Sequence, residues 1–121
     1  MSDFEAVGTQ FVQHYYNTFD VDKNNLAGLY SDQSMLTFDT EQFLGAQSII
    51  EKLAQLPPLK HTVTSSQYQP TINNGIICFI SGTINIDGDA NPIAFAQVFH
   101  LQVGGTQGYY VHNDMFRMNI G

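Results

Sequence analysis

The chain has 121 residues and a 43% apolar, 12% aromatic composition, enough for one folded domain with a real core and too apolar for a disordered segment. Its charge is lopsided: four Lys and Arg against eleven Asp and Glu, net −7, with the cations Lys23, Lys52, Lys60 and Arg117 scattered along the chain. Binding to nucleic acid or to an anionic membrane surface needs clustered cations, so both are excluded as expectations, whereas a basic partner would be attracted.

The first segment, SDFEAVGTQFVQHYYNTFD, opens with Ser2 three residues before Glu5, a capping-box pattern. Phe4, Val7, Phe11, Tyr15 and Phe19 then recur every three or four residues, one apolar stripe on a helix of about four turns. NNLAGLY reads as a short second helix and SMLTFD as a strand. GAQSIIEKLAQL reads as a third helix that Pro57 and Pro58 end. From Lys60 the composition turns β-branched and aromatic: KHTVTSSQYQPT, GIICFISGTINI, IAFAQVFHLQV and YYVHNDMFRMNI are separated by Asn73-Asn74-Gly75, by IDGDANP and by Gly104-Gly105, all hairpin signals. Helices followed by an antiparallel meander predict an α+β domain with helices on one face of a sheet.

The strand patterns carry a further expectation. In 76–86, Ile76, Cys78, Ile80, Ile84 and Ile86 point one way and Ile77 and Phe79 the other. In 93–103, Ile93, Phe95, Phe99, Leu101 and Val103 alternate with Ala94, Ala96, Val98 and His100. Neither strand has a plainly polar face, as a half-solvated sheet should, so both faces are expected to be covered, one by the helices and the other by a second copy of the chain.

Chemistry-bearing motifs are sparse. Residues 87–91, DGDAN, match the start of a calcium loop, but Pro92 stands where that loop needs Gly and Val98 where it needs Glu. No metal site is expected, and Asp, Gly and Asn also serve as ordinary turn formers. The lone Cys78 lies mid-strand in an apolar run, which suits a buried small hydrophobe and a reducing compartment; no secretory leader and no eighteen-residue apolar span is expected. There is no nucleophile elbow, no HExxH pair and no glycine-rich phosphate loop. His14 belongs to an aromatic helix stripe, while His61, His100 and His112 on strands are open as core or pocket members. A Tyr and an Asp inside a cavity under the helices could move protons, so an isomerase- or dehydratase-like cavity enzyme is the alternative reading. It requires an acid deep in the cavity with a raised pKa beside a Tyr or His.

The blocks FVQHYYNTFD, LYSDQSMLTF, IIEKLAQLP, QVFHL and YYVHNDMFRMN, in collinear order over nearly the whole chain, resemble the nuclear transport factor 2 family, most closely its fungal members. The resemblance implies a cone-shaped α+β fold with a strongly curved antiparallel sheet and three N-terminal-half helices on one face. It also implies a homodimer that is a carrier, not an enzyme, and that uses no cofactor. Family members bind the GTPase Ran in its GDP state and the FxFG repeats of nucleoporins and move Ran into the nucleus, which places the chain in cytoplasm, nucleus and nuclear pore complex. Residue by residue, the resemblance assigns Asp39, Asp87, Asp89 and His61 to a Ran-binding rim, Asp39 being one methylene shorter than the Glu often found there. It assigns Phe38, Leu56, Phe79, Ile84 and Phe116 to a hydrophobic cavity that takes an aromatic of Ran, and Met115 to the dimer interface. Phe4 stands where some members carry the Trp that binds FxFG repeats, and it also fits as the first core residue of the helix stripe. The link LPPLKH is one residue shorter than in the family.

Overall fold

The computed structural model describes residues 3–105 and 108–119. Helix α1 spans Phe4–Val21. Its apolar positions bury Phe11, Val12, Tyr15, Tyr16 and Phe19, while Phe4 and Val7 pack half-buried at its start. Ser2 lies outside the described residues; Asp3 caps the helix through its carbonyl, which accepts from Val7 N at 2.9 Å, and its side chain makes no cap. Gly8 lets the helix lie directly on the sheet, since a Cβ there would stand 2.5 Å from the Tyr68 ring. Residues Lys23–Leu29 form a 3-10 turn of helix, capped by Asp22 Oδ1 accepting from Asn24 N.

Strand β1 (Tyr30–Phe38) and the short β2 (Glu41–Leu44) precede helix α2 (Ala46–Ala54). Strands β3 (Leu59–Thr71), β4 (Gly75–Ile86), β5 (Ile93–Val103) and β6 (Tyr109–Asn119) follow as an antiparallel meander. The six strands lie in the order β2-β1-β6-β5-β4-β3 and the sheet does not close. The expectation of a purely antiparallel sheet is corrected here. Strand β1 runs parallel to β6, Phe38 opposite Phe116, because two strands separated by most of the chain are joined by a long crossover and not by a hairpin, which would force opposite directions. Strand β2, four largely exposed residues after a turn, was not foreseen.

All three helical segments pack on the inner face, over Phe95, Phe99, Leu101, Ile76, Cys78, Ile80 and Ile84. Phe99, fully buried, meets the rings of Phe11, Tyr15 and Tyr16. The outer face carries a cross-strand row of apolar side chains, Phe79, Val98 and Met115, with no element formed by the described residues over it; Phe79 and Met115 are 47% and 52% exposed.

Candidate functional site

A cavity of about 10 Å³, room for about one water molecule, lies between the helices and the inner sheet face. Tyr15 and Phe19 of α1, Leu36 and Phe38 of β1, Leu53 of α2, Leu59 and His61 of β3, Gln97 of β5 and Asp114 and Phe116 of β6 line it. One wall is an aromatic stack: Phe38 and Phe116 lie 4.8 Å apart at 16°, and Phe116 and Phe95 lie 5.6 Å apart at 17°. Lys52 Nζ sits 5.1 Å from the Phe38 ring centre and pairs with Glu41 at 3.1 Å, so a cation caps the outer end of that stack.

Of the five residues assigned to the cavity, Phe38 and Phe116 line it. Ile84 is buried on the inner face without reaching the cavity, and Leu56 is half-buried just beyond α2, its carbonyl accepting from Lys23 Nζ. Phe79 is a correction: it belongs to the outer face. Strand side chains alternate with period two, and β4 runs unbroken, so Phe79 cannot share a face with Ile84, five positions on.

The assigned rim residues separate. Asp39 follows Phe38 in a left-handed conformation (φ 55°) and is held at both ends: its N–H donates to Phe116 O at 2.8 Å and its Oδ1 accepts from Met118 N at 3.0 Å. Asp87 and Asp89 are exposed in the β4–β5 connection. Asp87 and Gly88 both have positive φ, and Asp89 N donates to Ile86 O at 2.8 Å, the turn type that Asp-Gly favours. Asp87 N also donates to Pro58 O at 2.7 Å, which ties this turn to the link leading into the cavity residue Leu59. Asp89 Oδ1 accepts from Asn91 N at 2.9 Å. Among the described residues no three His, Cys, Asp or Glu side chains gather as a cation site would need. His61 is the second correction. Its side chain is 2% exposed, in the cavity wall and not on a rim, stacked 4.5 Å from Tyr16, with Nδ1 2.7 Å from Asp20 Oδ1.

The remaining candidates fall apart as a site. His14 is exposed on α1. His100 and His112 lie 5.7 Å apart, and His100 bonds to the side chains of Asn113 and Gln102. The Cys78 thiol is pushed up to about 12 by burial and is inert at neutral pH.

The group that sequence reasoning missed is Asp114, 1% exposed on the inner face of β6. Its Oδ1 accepts from Gln97 Nε2 at 2.7 Å; its Oδ2 accepts from Tyr30 Oη at 2.7 Å and, at 3.5 Å, from Tyr15 Oη. Burial pushes its carboxyl up to about 6, opposed by these hydrogen bonds. Burial and the nearby carboxylate raise Tyr15 and Tyr30 well above the usual phenol range. The signal was present in the sequence: Asp114 is two positions from Phe116 on a strand, hence on the same face. An acid beside tyrosines and a histidine is the arrangement proton-transfer chemistry would use. Here its oxygens already accept hydrogen bonds from the protein, and the cavity beside them has room for about one water.

Two helices and a 3-10 turn packed on one face of an open, curved mixed sheet, with a pocket at the junction, define a nuclear transport factor 2-like fold. The family model for the nuclear transport factor 2 domain matches residues 7–118. The chain belongs to the nuclear transport factor 2 family. It is 49% identical to nuclear transport factor 2 of Candida glabrata over 120 residues, covering 97% of this chain and 95% of that one. To the Neurospora crassa protein of the same name it is 47% identical over 118 residues, with 96% and 95% covered. The solved structure of nuclear transport factor 2 from Cryptosporidium parvum superposes with a TM-score of 0.90 at 42% identity, covering 97% and 95% of the two chains. The chain is thus a nuclear import carrier.

Proposed function

We propose that this carrier takes Ran in its GDP state as cargo. The observation that carries the reading is the apolar, aromatic-walled cavity with acids beside it: Asp39 directly follows the cavity residue Phe38, and the Asp87–Asp89 turn is fastened to the link before the cavity residue Leu59. An aromatic side chain of Ran enters between Phe38, Phe116 and Leu53, and basic residues flanking it meet the acids, which set register and reject wrong partners. The cavity has room for about one water in the free chain, so entry requires it to widen. A second copy covers the outer face through the row Phe79, Val98 and Met115. Phe4, half-buried at the start of α1, binds the FxFG repeats of nucleoporins, and the dimer shuttles between cytoplasm and nucleus through the pore complex. Titration calorimetry against Ran–GDP and Ran–GTP tests this: binding of the GDP form and not the GTP form is expected, and equal binding or none would overturn it.

The second reading, a cavity enzyme of the same fold, is favoured by one observation, the raised pKa of buried Asp114 beside tyrosines and His61. It requires a substrate where the structure has space for about one water. The carrier reading needs only transient opening for one side chain, and for that reason we hold it.

A further inference from the structure

Four elements meet on the carboxylate of Asp114: Tyr15 from α1, Tyr30 from β1, Gln97 from β5 and the residue's own strand β6. The connection runs on from there. Tyr16 Oη donates to Gln97 Oε1 at 2.7 Å, the Tyr16 ring stacks on His61, and His61 reaches Asp20 near the surface. Among the described residues the titratable groups facing this network are Tyr15 and Tyr16 from α1, Tyr30 from β1, Cys78 from β4 and His61 and Tyr68 from β3, with Asp20 beyond His61; α2 contributes Leu53 to the cavity, and no described Lys or Arg lines it. A carboxylate buried without a cation is the most solvation-sensitive group in the wall.

We propose that Asp114 couples occupation of the cavity to the uptake of a proton, so that the carrier seats an aromatic guest with its carboxyl neutral. The inference rests on the reading above that the cavity receives an aromatic side chain. Asp114 is already 1% exposed, so a ring seated beside it acts by filling the cavity's room for about one water and by offering its negative face or apolar edge, both of which disfavour the ionised form. The proton comes from solvent and adds to Oδ2. The new hydroxyl donates to Tyr30 Oη, and the Tyr30 proton turns to Tyr15 Oη, to which it is already hydrogen-bonded, so no buried polar atom is orphaned. Burial, opposed by its three hydrogen bonds, already holds this carboxyl near 6, so a modest further push against the charged form brings it into the neutral range. Asp114 acts here as a positioning residue, setting how readily the wall accepts a guest.

The test is calorimetry of Ran–GDP binding to the full chain at pH 6.5 in phosphate and in imidazole buffer. The dependence of the heat on buffer ionisation gives the protons exchanged. Net uptake is expected for the wild type and none for Asp114→Asn, and the wild-type affinity should rise up to about tenfold from pH 7.5 to 6, one pKa unit of linkage. Should Asp114→Asn fail to melt cooperatively, a ¹³C carboxyl titration of Asp114 in wild type, free and bound, decides the same point. Binding with no uptake, with release, or with an unchanged carboxyl titration overturns this inference and leaves the carrier reading standing. No binding of Ran–GDP overturns both.

Discussion

On its inner face β5 presents Phe95, Gln97, Phe99 and Leu101, all buried under the helices; on its outer face the same strand presents Ala94, Ala96 and Val98, with no element formed by the described residues over them. The contrast continues into β4 and β6. Inside, the polar groups Gln97 and Asp114 are saturated with hydrogen bonds. Outside, apolar side chains stand exposed and His112 Nδ1 is buried without a hydrogen-bond partner among the described residues. One face is finished by the chain itself. The other has the composition of a core and lacks its cover, which is the physical content of the dimer proposal.

A pair of phenylalanines tests the contrast most directly. Phe99→Ala, inside, removes a fully buried ring that touches three others and should cost about 3–5 kcal/mol of folding stability, read from urea unfolding. Phe79→Ala, outside, should leave the fold within about 1 kcal/mol and weaken self-association instead. Equal losses in the two variants would erase the distinction between the faces.

Met115→Glu sharpens the outer half. In a monomer the new carboxylate is solvated and harmless, since Met115 is half exposed. In the proposed interface it is a buried, unpaired charge that costs on the order of 3 kcal/mol. Analytical ultracentrifugation should show a wild-type dimer and a folded Met115→Glu monomer at micromolar concentration. A wild-type monomer would remove the dimer.

The inner half has its own signature in pH. Asp114 holds its proton up to about 6 when folded, against an ordinary carboxyl value of 3.8. Between those values the folded chain binds more protons than the unfolded one, so this group's contribution to stability is fully present below 3.8 and is lost as pH rises through about 6. The difference in unfolding free energy between wild type and Asp114→Asn should therefore shift toward the wild type on acidification, by up to about 3 kcal/mol. A difference that is flat between pH 7 and 4 would mean that the carboxyl titrates normally.

Much of this was legible beforehand, and the misses have physical causes. The stripe from Phe11 to Phe19 and the alternation through β4 and β5 locate the core, because burial imposes its period directly on sequence. The parallel pairing of β1 with β6 was not legible, since strands about eighty residues apart leave no local trace of their direction. Phe79 was placed in the cavity by resemblance, although the strand's own alternation sent it outward; the local physics was the better guide. Asp114 was overlooked because an acid inside a strand carries no motif, and only its two-residue spacing from Phe116 marks it as inward. His61 was placed on a rim, but its pairing with Asp20, forty-one residues earlier in the chain, is a tertiary fact.

The smallest expected effect on the fold belongs to the acidic turn, and there the two halves of the molecule meet, because the turn neither packs inside nor belongs to the outer apolar row. Asp89 is exposed, and its side-chain bond to Asn91 N stays within the turn. Asp89→Lys should change stability by no more than roughly 0.5 kcal/mol, and Asp87→Lys likewise, with a small added cost for a bulkier residue at positive φ. For binding the expectation reverses. If these acids meet basic residues of Ran, each reversal turns an attractive contact into a like-charge one and should weaken Ran–GDP binding by about 2 kcal/mol, near thirtyfold in affinity. Asp39 differs from them: its Oδ1 holds Met118 N, so Asp39→Lys should lose stability together with binding, while Asp87 and Asp89 lose binding alone. The wild-type association rate should fall as salt rises, since charges at an exposed turn act over a Debye length of about 8–10 Å, and the Lys variants should show a weaker dependence. Association rates at two salt concentrations, alongside thermal melts of the three variants, check all of this together. Lys variants that bind Ran–GDP as tightly as the wild type would reduce Asp87 and Asp89 to turn formers, which their backbone geometry alone would explain.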